Sequence, residues 1–500
     1  MQAATRNFAL LFFATLLFHL AGTWSLPLVD RDEPRFAEAS REMIERNDYV
    51  VPFFNNRYRF DKPPLTYWFQ VASFRVFGEN AFAARFPTAI AAALTALVIF
   101  AWGRRLDLAR AGFWAAVIFS LCLQIFIHGK AAVADMWLVL FVTLSHWAGY
   151  ELWRDRFAGT WRSVVLQPND LRIWWWLFYC SLALAFLAKG PIGWVSLGTV
   201  AVCQYLRPVP HFARRFLFVR GMLLVLVLVG LWGVPALLRT HGRFFTIGLG
   251  RHVIGRSFGT MQGHGSKSIL IALGTLPYYF LTVFLSFAPW SVKLPWLARR
   301  LWAKRDAFDL YLIAGGAVIF VIFSIVKTKL PHYILPALPL LALLLARHWL
   351  AQGVTTTTLR RWSVATAVLW LALALIVLPL STPWFFPSAE LFKKAEPYLQ
   401  PEMDFAAFDS DAPSLVWNFR RRVHGWLFYN QAIGRDVAAM QPDQVPSFLA
   451  RAGPHFVVLP TGVADRLYPR LPSGYRKFST RGFDLANGRW VDLTLIMKNT

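Results

Sequence analysis

The pattern of hydrophobic and polar positions is dominated by long apolar runs that are separated by short charged turns. A helix needs roughly 17 to 25 apolar residues to cross a bilayer, and shorter runs are tolerated inside a bundle. The runs that meet this condition cover approximately residues 8–26, 81–103, 111–128, 133–152, 172–188, 191–206, 217–238, 269–290, 309–326, 331–348 and 362–381. Residues 65–77 form a shorter amphipathic segment that is either a further span or an interfacial helix. The pattern predicts a polytopic α-helical membrane protein with about 11–13 transmembrane helices.

The pattern changes after residue 381, where continuous apolar runs give way to mixed polarity with Pro, Gly and Asp. Residues 405–408 and 455–459 are typical of buried strands, and residues 445–451 of a helix. Asn487-Gly488 is typical of the turn of a hairpin. We therefore predict a membrane domain over residues 1–381 and a small soluble α/β domain over residues 382–500.

Composition excludes several classes of protein. The 500 residues are 56% hydrophobic and only 16% charged, which excludes an ordinary soluble enzyme, a disordered chain and a disulfide scaffold. The three cysteines, Cys122, Cys180 and Cys203, lie inside apolar runs without the paired spacing of a zinc site. We interpret them as small buried hydrophobic residues.

Positive charge is distributed unevenly between alternate loops. The chain has 52 Lys and Arg against 27 Asp and Glu, a net charge of +25. One set of loops is rich in arginine, at residues 104–110, 154–172, 207–215, 299–305 and 347–361. These loops are predicted to be cytoplasmic. The opposite side then carries loop 27–80, loop 239–268 and the tail, and in a bacterium that side is the periplasm of an inner-membrane protein.

Charged residues gather in the first outer loop. The loop contains the run Asp32-Glu33-Pro34-Arg35 and the later run Asp61-Lys62-Pro63-Pro64. Between them, residues 35–45 alternate as an amphipathic helix that would lie along the membrane surface. Asp32 is either a functional carboxylate at the entry of this helix or only its N-cap, with Pro34 in the first turn.

A second carboxylate, Asp135, begins an otherwise apolar span. An ionised side chain at this depth needs a partner or a water-filled cavity, although an N-cap role is the alternative. If Asp135 and Asp32 face one cavity, the pair can position a hydroxyl nucleophile, an amine or a divalent cation.

Several basic residues on the predicted outer side run against the positive-inside rule. Lys62, Lys189 and Arg256 lie in turns punctuated by Pro or Gly, where an anionic phosphate would account for them. Lipid headgroup contacts are the alternative explanation. Tyr333, in the turn after Lys327 and Lys329, either contacts a sugar or lipid phosphate or belongs to an interfacial aromatic belt.

The second large outer loop, residues 239–268, is rich in glycine, as expected of a mobile lid over a site. It contains His252, Arg256 and His264. These histidines can bind metal, donate to phosphate or lie in a wet loop, and their spacing is not that of a paired metal motif.

These motifs together resemble a known family. Residues 32–38 (Asp-Glu-Pro-Arg-Phe-Ala-Glu), residues 58–65 around Asp-Lys-Pro-Pro, Ala134-Asp135-Met136, Lys189-Gly190-Pro191 and residues 330–336 around His332-Tyr333 occur in this order. The chain resembles the bacterial GT-C glycosyltransferases of the aminoarabinose transferase and protein O-mannosyltransferase-like family. The resemblance covers the whole membrane part.

The resemblance implies a GT-C fold with amphipathic helices on the periplasmic face, and transfer of a sugar from a polyprenyl-phosphate donor to a lipid A, polysaccharide or protein acceptor, with inversion. It implies that Asp32 and Asp135 are catalytic. It associates the donor phosphate or sugar with Lys62, Lys189, Arg256 and Tyr333. To these we add Glu33 and Arg35, which are neighbours of Asp32. It also implies that a divalent ion such as zinc can bridge Asp61 and a loop histidine, either His252 or His264. No other cofactor and no nucleic-acid partner is predicted.

One departure concerns the residue before Lys-Pro-Pro, which is Glu in the lipid A branch of the family and Asp61 here. The shorter carboxylate leaves the specific substrate open. A flippase for polyprenyl-linked sugars is the main alternative, although it would more naturally show internal repeats and helices broken at the membrane centre. A non-catalytic scaffold is a third.

Overall fold

The structure of the protein is a computed structural model that describes the backbone of residues 2–154, 168–254, 277–408, 412–423, 427–429, 444–485 and 488–498. The membrane part begins with helices α1 to α11. Their bounds are Gln2–Leu20 (α1), Asp32–Arg46 (α2), Leu65–Phe77 (α3), Ala81–Arg105 (α4), Ala109–Leu121 (α5), Leu123–His128 (α6), Asp135–Trp153 (α7), Pro168–Lys189 (α8), Val195–Leu206 (α9), Phe212–Phe216 (α10) and Phe218–Arg239 (α11).

The second half of the membrane part contains helices α12 to α17. Their bounds are Tyr278–Ser286 (α12), Leu294–Ala303 (α13), Ala307–Ile325 (α14), Leu338–Ala351 (α15), Thr356–Ala372 (α16) and Leu378–Phe385 (α17). Short 3-10 helices cover Pro191–Trp194, Trp290–Lys293 and Pro331–Ala337, and π-helical turns cover Phe244–Ile254 and Leu373–Val377.

The predicted multi-pass helical architecture is confirmed, since every predicted apolar run overlaps a helix. Among the described residues, six helices are long and apolar enough to cross a membrane, or seven if the bent pair Tyr278–Ser286 and Trp290–Ala303 is one span. The sequence-based count is higher because it included runs that fold as shorter or broken helices. Run 111–128, for example, breaks at Cys122, whose extended backbone separates α5 from α6.

Arginines of the predicted cytoplasmic loops meet at one end of the bundle. Their contacts join different loops: Arg105 lies 5.7 Å from the ring of Trp174, Arg110 donates to Thr356, Arg215 donates to the carbonyl of Arg154, and Arg347 pairs with Asp309. At the same end, Asp306 and Asp309 form a capping box that starts α14. The charged residues of the first loop, together with Asp135 and Lys189, lie at the opposite end.

The first outer loop folds as the predicted amphipathic helix and a small hairpin. Helix α2 buries its apolar face, as at Phe36 and Met43, and also its charged face, as at Glu38 and Glu42. It ends at Asn47, whose left-handed backbone (φ 50°) closes the last turn. Strands β1 (Phe53–Phe54) and β2 (Arg57–Tyr58) then pair antiparallel and lead into the Asp-Lys-Pro-Pro turn.

The predicted strands and helix of the tail are also confirmed. Its sheet contains β3 (Asp404–Ala407), β4 (Leu427–Tyr429), β5 (His455–Pro460), β6 (Tyr475–Asp484) and β7 (Arg489–Lys498), in the order β4-β3-β5-β7-β6. Strand β3 runs parallel to β4 and β5, whereas β7 is antiparallel to β5 and β6. The turn of the last hairpin falls at residues 485–488, although Asn487 itself lies outside the described residues.

Side chains of the sheet alternate between two buried layers, as a period of two requires. Phe456 and Val458 of β5 face helices α18 (Pro387–Ala395) and α19 (Pro413–Arg420). Val457 and Leu459 face helices α20 (Gln444–Leu449) and α21 (Thr461–Leu467). The tail is thus a sheet that is covered by helices on both faces.

The tail docks on the first outer loop through α19. The backbone N–H of Ser414 donates to the Asp30 carboxylate across 2.9 Å, and the Ser414 hydroxyl donates to its other oxygen. Trp417 stacks on Phe74 of α3 with 5.9 Å between ring centroids. The contact holds the chain just before Asp32, so the tail directly supports the N-terminus of α2.

Candidate active site

Two neighbouring cavities meet at the charged end of the bundle. The first, the Lys62 cavity, has a volume of about 780 Å³ and is lined by Asp61, Lys62, Lys189 and Tyr333 at its polar end. The second, the Asp32 cavity, has a volume of about 580 Å³ and is lined by Asp32, Glu33, Arg85, His128 and Lys130. Asp135 and His332 line both cavities. The sequence-predicted acidic and basic residues are therefore brought to one junction.

The Lys62 cavity is apolar along most of its wall. Aromatic and aliphatic side chains from α8, α11 and α14 form that wall: Phe186, Leu226, Val229, Trp232, Leu237 and Phe323. A long apolar wall that ends at cationic groups suits an amphipathic ligand with an acidic head and a hydrocarbon tail.

Asp135 is the first residue of α7, and its side chain pairs with Lys189 at the end of α8. The Lys189 ammonium donates to Asp135 Oδ1 across 2.5 Å, and both side chains are largely buried. The N-cap of α7 is Ala134, so the alternative of Asp135 as a capping residue is wrong. Lys189 also lies 5.6 Å from the ring of Tyr333. Asp135, Lys189 and Tyr333 thus form one connected group.

Asp32 stands beside this group without capping α2. The N-cap is Arg31, and helix α2 begins at Asp32 itself. The N-cap alternative for Asp32 is therefore wrong as well. The exposed carboxylate lines the Asp32 cavity and lies within electrostatic range of His128 and His332. Such a carboxylate is available to orient or accept a proton.

Glu33 has a different environment from Asp32. Both of its carboxylate oxygens accept from the guanidinium of Arg85, across 2.8 and 2.6 Å. The backbone N–H groups of Val29 and Ala132 donate to it as well. Four bonds to a buried carboxylate favour a structural task, so ligand binding by Glu33 stays a prediction without support from this geometry.

Arg59 connects the two charged runs of the first loop, because it interacts with Asp61 and lies within electrostatic range of Asp32. Arg59 is buried, donates to the Tyr67 hydroxyl across 2.9 Å and lies 3.5 Å from Asp61. These partners raise the pKa of Arg59 against the effect of burial, so it stays charged. Arg35 is also buried, within electrostatic range of Asp30. Asp61 and Lys62 therefore lie in a turn that the buried Arg59 stabilises.

Three of the predicted residues lie outside the described part of the chain. Arg256 and His264 fall between residues 255 and 276, and His252 belongs to Phe244–Ile254 with its side chain undescribed. The predicted ion bridge between Asp61 and one of these histidines therefore stays a prediction.

Sequence reasoning missed four residues of the site. Arg85 sits in an apolar run that predicts only a span, yet it holds Glu33. Arg59 was indistinguishable from an ordinary loop cation. His128 and His332 lie far apart in the sequence, and the one available signal was that His332 belongs to the motif of residues 330–336.

Several known proteins are similar to this chain in sequence. Residues 61–232 match the family described as dolichyl-phosphate-mannose-protein mannosyltransferase. A relative from Aeromonas hydrophila, named undecaprenyl phosphate-alpha-4-amino-4-deoxy-L-arabinose arabinosyl transferase, is 30% identical over 346 residues, which cover 68% of this chain and 58% of the relative. An uncharacterised protein from Aquifex aeolicus is 27% identical over 72% of this chain and 66% of its own length. The chain thus spans less than two thirds of the length of these two relatives.

The fold is similar to that of a solved structure. The crystal structure of ArnT from Cupriavidus metallidurans bound to undecaprenyl phosphate superposes with a TM-score of 0.77. The match covers 97% of both chains at 20% sequence identity, which establishes the GT-C fold. In its motifs, its family match over residues 61–232 and its fold, the chain is thus similar to the aminoarabinose transferase-like and protein O-mannosyltransferase-like membrane proteins.

Proposed function

We propose that this chain is an integral membrane glycosyltransferase that transfers a sugar from a polyprenyl-phosphate donor to an acceptor. The observation that carries the proposal is the lining of the Lys62 cavity, which combines a mostly apolar wall with Lys62, Lys189 and Tyr333. A polyprenyl chain fits the wall, and its phosphate fits the cationic end. The name of the Aeromonas relative supports an undecaprenyl-phosphate-linked donor.

The chemistry follows from the junction between the two cavities. The acceptor hydroxyl or amine attacks the anomeric carbon, a new bond to that carbon forms, and the bond to the phosphate oxygen breaks. Asp32 accepts the proton that the nucleophile loses. Lys62 and Lys189 stabilise the charge that grows on the departing lipid phosphate. Because attack and departure lie on opposite sides of the carbon, the anomeric configuration inverts.

Asp135 acts by holding Lys189 rather than by receiving the proton itself. Its pairing with the Lys189 ammonium fixes the direction of that cation toward the Lys62 cavity. A fixed cation stabilises a developing charge without having to reorganise during the reaction. Asp32 and Asp135 are therefore assigned different tasks, although both were predicted to be catalytic.

The acceptor reaches the site through the Asp32 cavity, on the side away from the donor. This cavity is also lined by Gly22 and Leu26 after α1, by Val377 and Leu378, and by Phe386 and Leu485 on the side of the tail. Lipid A, a surface polysaccharide and a protein stay as the acceptor classes to be separated by experiment.

The first experiment compares lipid A, surface polysaccharide and envelope proteins by mass spectrometry in a deletion strain. The strain is complemented with wild type, Asp32→Asn or the exposed control Asp465→Asn. Wild type and the control are expected to restore one sugar on one acceptor, whereas Asp32→Asn should not. Restoration by Asp32→Asn at equal expression would remove Asp32 from the mechanism and would favour a transporter or scaffold.

We also propose that the protein lies in the bacterial inner membrane with its active site and tail in the periplasm. The arginine-rich end of the bundle supports this orientation. Exposed Ser473 in the tail and exposed Thr357 at the arginine-rich end offer two positions for single cysteines. In spheroplasts, an impermeant maleimide should label Ser473→Cys and leave Thr357→Cys unlabelled, and the reverse pattern would invert the topology.

A flippase is less well supported. Its substrate path would need polar groups along the depth of the bundle. Among the described residues, the ligand-facing charges instead meet at one end of the two cavities.

A further inference from the structure

Two imidazoles and a carboxylate converge where the two cavities meet. His128 ends α6, Asp135 begins α7, and His332 lies in the 3-10 helix Pro331–Ala337. One nitrogen or oxygen atom from each residue lies within 4.8 Å of the others, and the two histidine rings are 5.0 Å apart between centroids. The three elements are separate in sequence, so the convergence is a product of the fold.

The hydrogen bonds around the cluster leave each of its three residues an atom that can bind a metal ion. His128 Nδ1 lies 3.2 Å from both the carbonyl oxygen and the side-chain amide nitrogen of Gln124. When Nδ1 donates to that carbonyl, the lone pair is on Nε2, which is the arrangement that orients a metal-binding histidine. Asp135 uses Oδ1 for Lys189 and has a second oxygen to offer. Within the described part of the chain, no hydrogen bond engages the ring of His332.

Charge also favours a cation at this point. Asp32 lies within electrostatic range of both imidazoles, and Asp135 is in direct contact with the cluster. Lys189 supplies one positive charge against these two carboxylates. A divalent ion would change the local charge from about −1 to about +1, which the donor phosphate would then balance.

We infer that His128, Asp135 and His332 bind a divalent transition-metal ion, of which zinc is the best match for two imidazoles and one carboxylate. This site differs from the predicted bridge between Asp61 and a loop histidine. The inference rests on the proposed function only for its role, which is to neutralise charge where acceptor and donor meet. Binding of the ion itself requires neither substrate.

The test measures zinc on the purified full-length protein in detergent. After chelation, zinc is titrated calorimetrically and counted by elemental mass spectrometry in wild type, His128→Asn and His332→Asn. His211→Asn is the matched control, because His211 is exposed at the arginine-rich end and its left-handed backbone (φ 56°) tolerates asparagine. Asp61→Asn reports on the other predicted site.

One zinc ion is expected to persist in His211→Asn and Asp61→Asn. The two cluster variants, His128→Asn and His332→Asn, should each bind zinc at least roughly tenfold more weakly. Equal zinc affinity in wild type and both cluster variants would overturn the inference. Loss of the ion in Asp61→Asn with retention in His332→Asn would assign it to the loop site instead.

Two further measurements keep these outcomes interpretable. Thermal unfolding and size-exclusion profiles identify a variant that has not folded, and X-ray absorption of the zinc-loaded wild type should then show two imidazole ligands. A spectrum with no more than one imidazole would contradict the site. Zinc binding by a wild type that transfers no sugar would refute the proposed function and leave the metal site standing.

Discussion

The ammonium of Lys189 donates a 2.5 Å hydrogen bond to Oδ1 of Asp135, which joins the end of α8 to the start of α7. The two residues are 54 positions apart, and they lie at helix ends on the same side of the bundle. The pair borders both cavities, because Asp135 lines each of them. It is therefore at once a structural link between two helices and part of the candidate active site.

The two tasks of this pair can be separated with a double-mutant cycle. Lys189→Met leaves the Asp135 carboxylate buried and uncompensated, which should cost about 3–5 kcal/mol in the free energy of unfolding. The double variant Lys189→Met/Asp135→Asn should recover most of that stability, but sugar transfer should stay at least about 100-fold below wild type. Thermal unfolding in detergent and a transfer assay measure the two effects. Recovery of transfer in the double variant would make the pair purely structural.

Arg85 is predicted to stabilise the first outer loop by holding Glu33. Arg85→Met removes the two-pronged ion pair and leaves a buried carboxylate, for which we expect a loss of about 3–5 kcal/mol. Arg239→Met is the matched control, because Arg239 pairs with Asp48 across 2.7 Å but is 54% exposed. An exposed pair of this kind contributes about 0–1 kcal/mol. Equal effects of the two variants on the unfolding temperature would contradict the structural task of Glu33 and Arg85.

Much of the fold could be predicted from the sequence because its signals are local. Long apolar runs located the helices, and short apolar segments at residues 405–408 and 455–459 located two strands of the tail. Helix breaks were harder, since Cys122 lies inside a continuous apolar run and only tertiary packing gives it an extended backbone. The predicted number of spans therefore differs from the number of long apolar helices in the structure.

The candidate site divides in the same way. Asp32, Asp61, Lys62, Asp135 and Lys189 could be selected because a charge in an apolar or punctuated context requires an explanation. The pairing of Asp135 with Lys189 could not, because it depends on how α7 packs against α8. The environment of Glu33 could not be predicted either. Its sequence context matches that of Asp32, but its carboxylate accepts a hydrogen bond from Arg85, which is 52 residues away.

Close contact between α4 and α5 is predicted to depend on two glycines. A Cβ atom added to Gly112 would lie 3.0 Å from the Cα of Gly103 and 3.0 Å from the carbonyl oxygen of Phe100. Small residues let membrane helices approach in this way. Gly112→Val should lower the unfolding temperature and the yield of folded protein, whereas Gly230→Val in α11 has open space around it and should change neither greatly. The same loss in both variants would mean that helix propensity, and not packing, is responsible.

Asp30 gives the contact between the tail and the first outer loop a predicted pH dependence. Burial raises the pKa of the Asp30 carboxyl from 3.8 to about 7, although the hydrogen bonds from Ser414 oppose this shift. Between these two values the folded state holds a proton that the unfolded chain has released. Stability from this group is therefore greatest at low pH and declines as the pH rises toward about 7.

Asp30→Asn removes this titrating group. The side-chain amide oxygen of the asparagine can still accept a hydrogen bond from the Ser414 N–H. Unfolding temperatures measured from about pH 5 to pH 8 should fall in wild type relative to Asp30→Asn, and the difference should level off above about pH 7. Asp465→Asn, which removes an exposed carboxylate that pairs with Lys477, is the control and should run parallel to wild type. A constant difference between wild type and Asp30→Asn across the range would mean that Asp30 keeps an ordinary pKa in the folded protein. In that case the Ser414 contact would hold an ionised carboxylate throughout, and docking of the tail would not respond to pH through this residue.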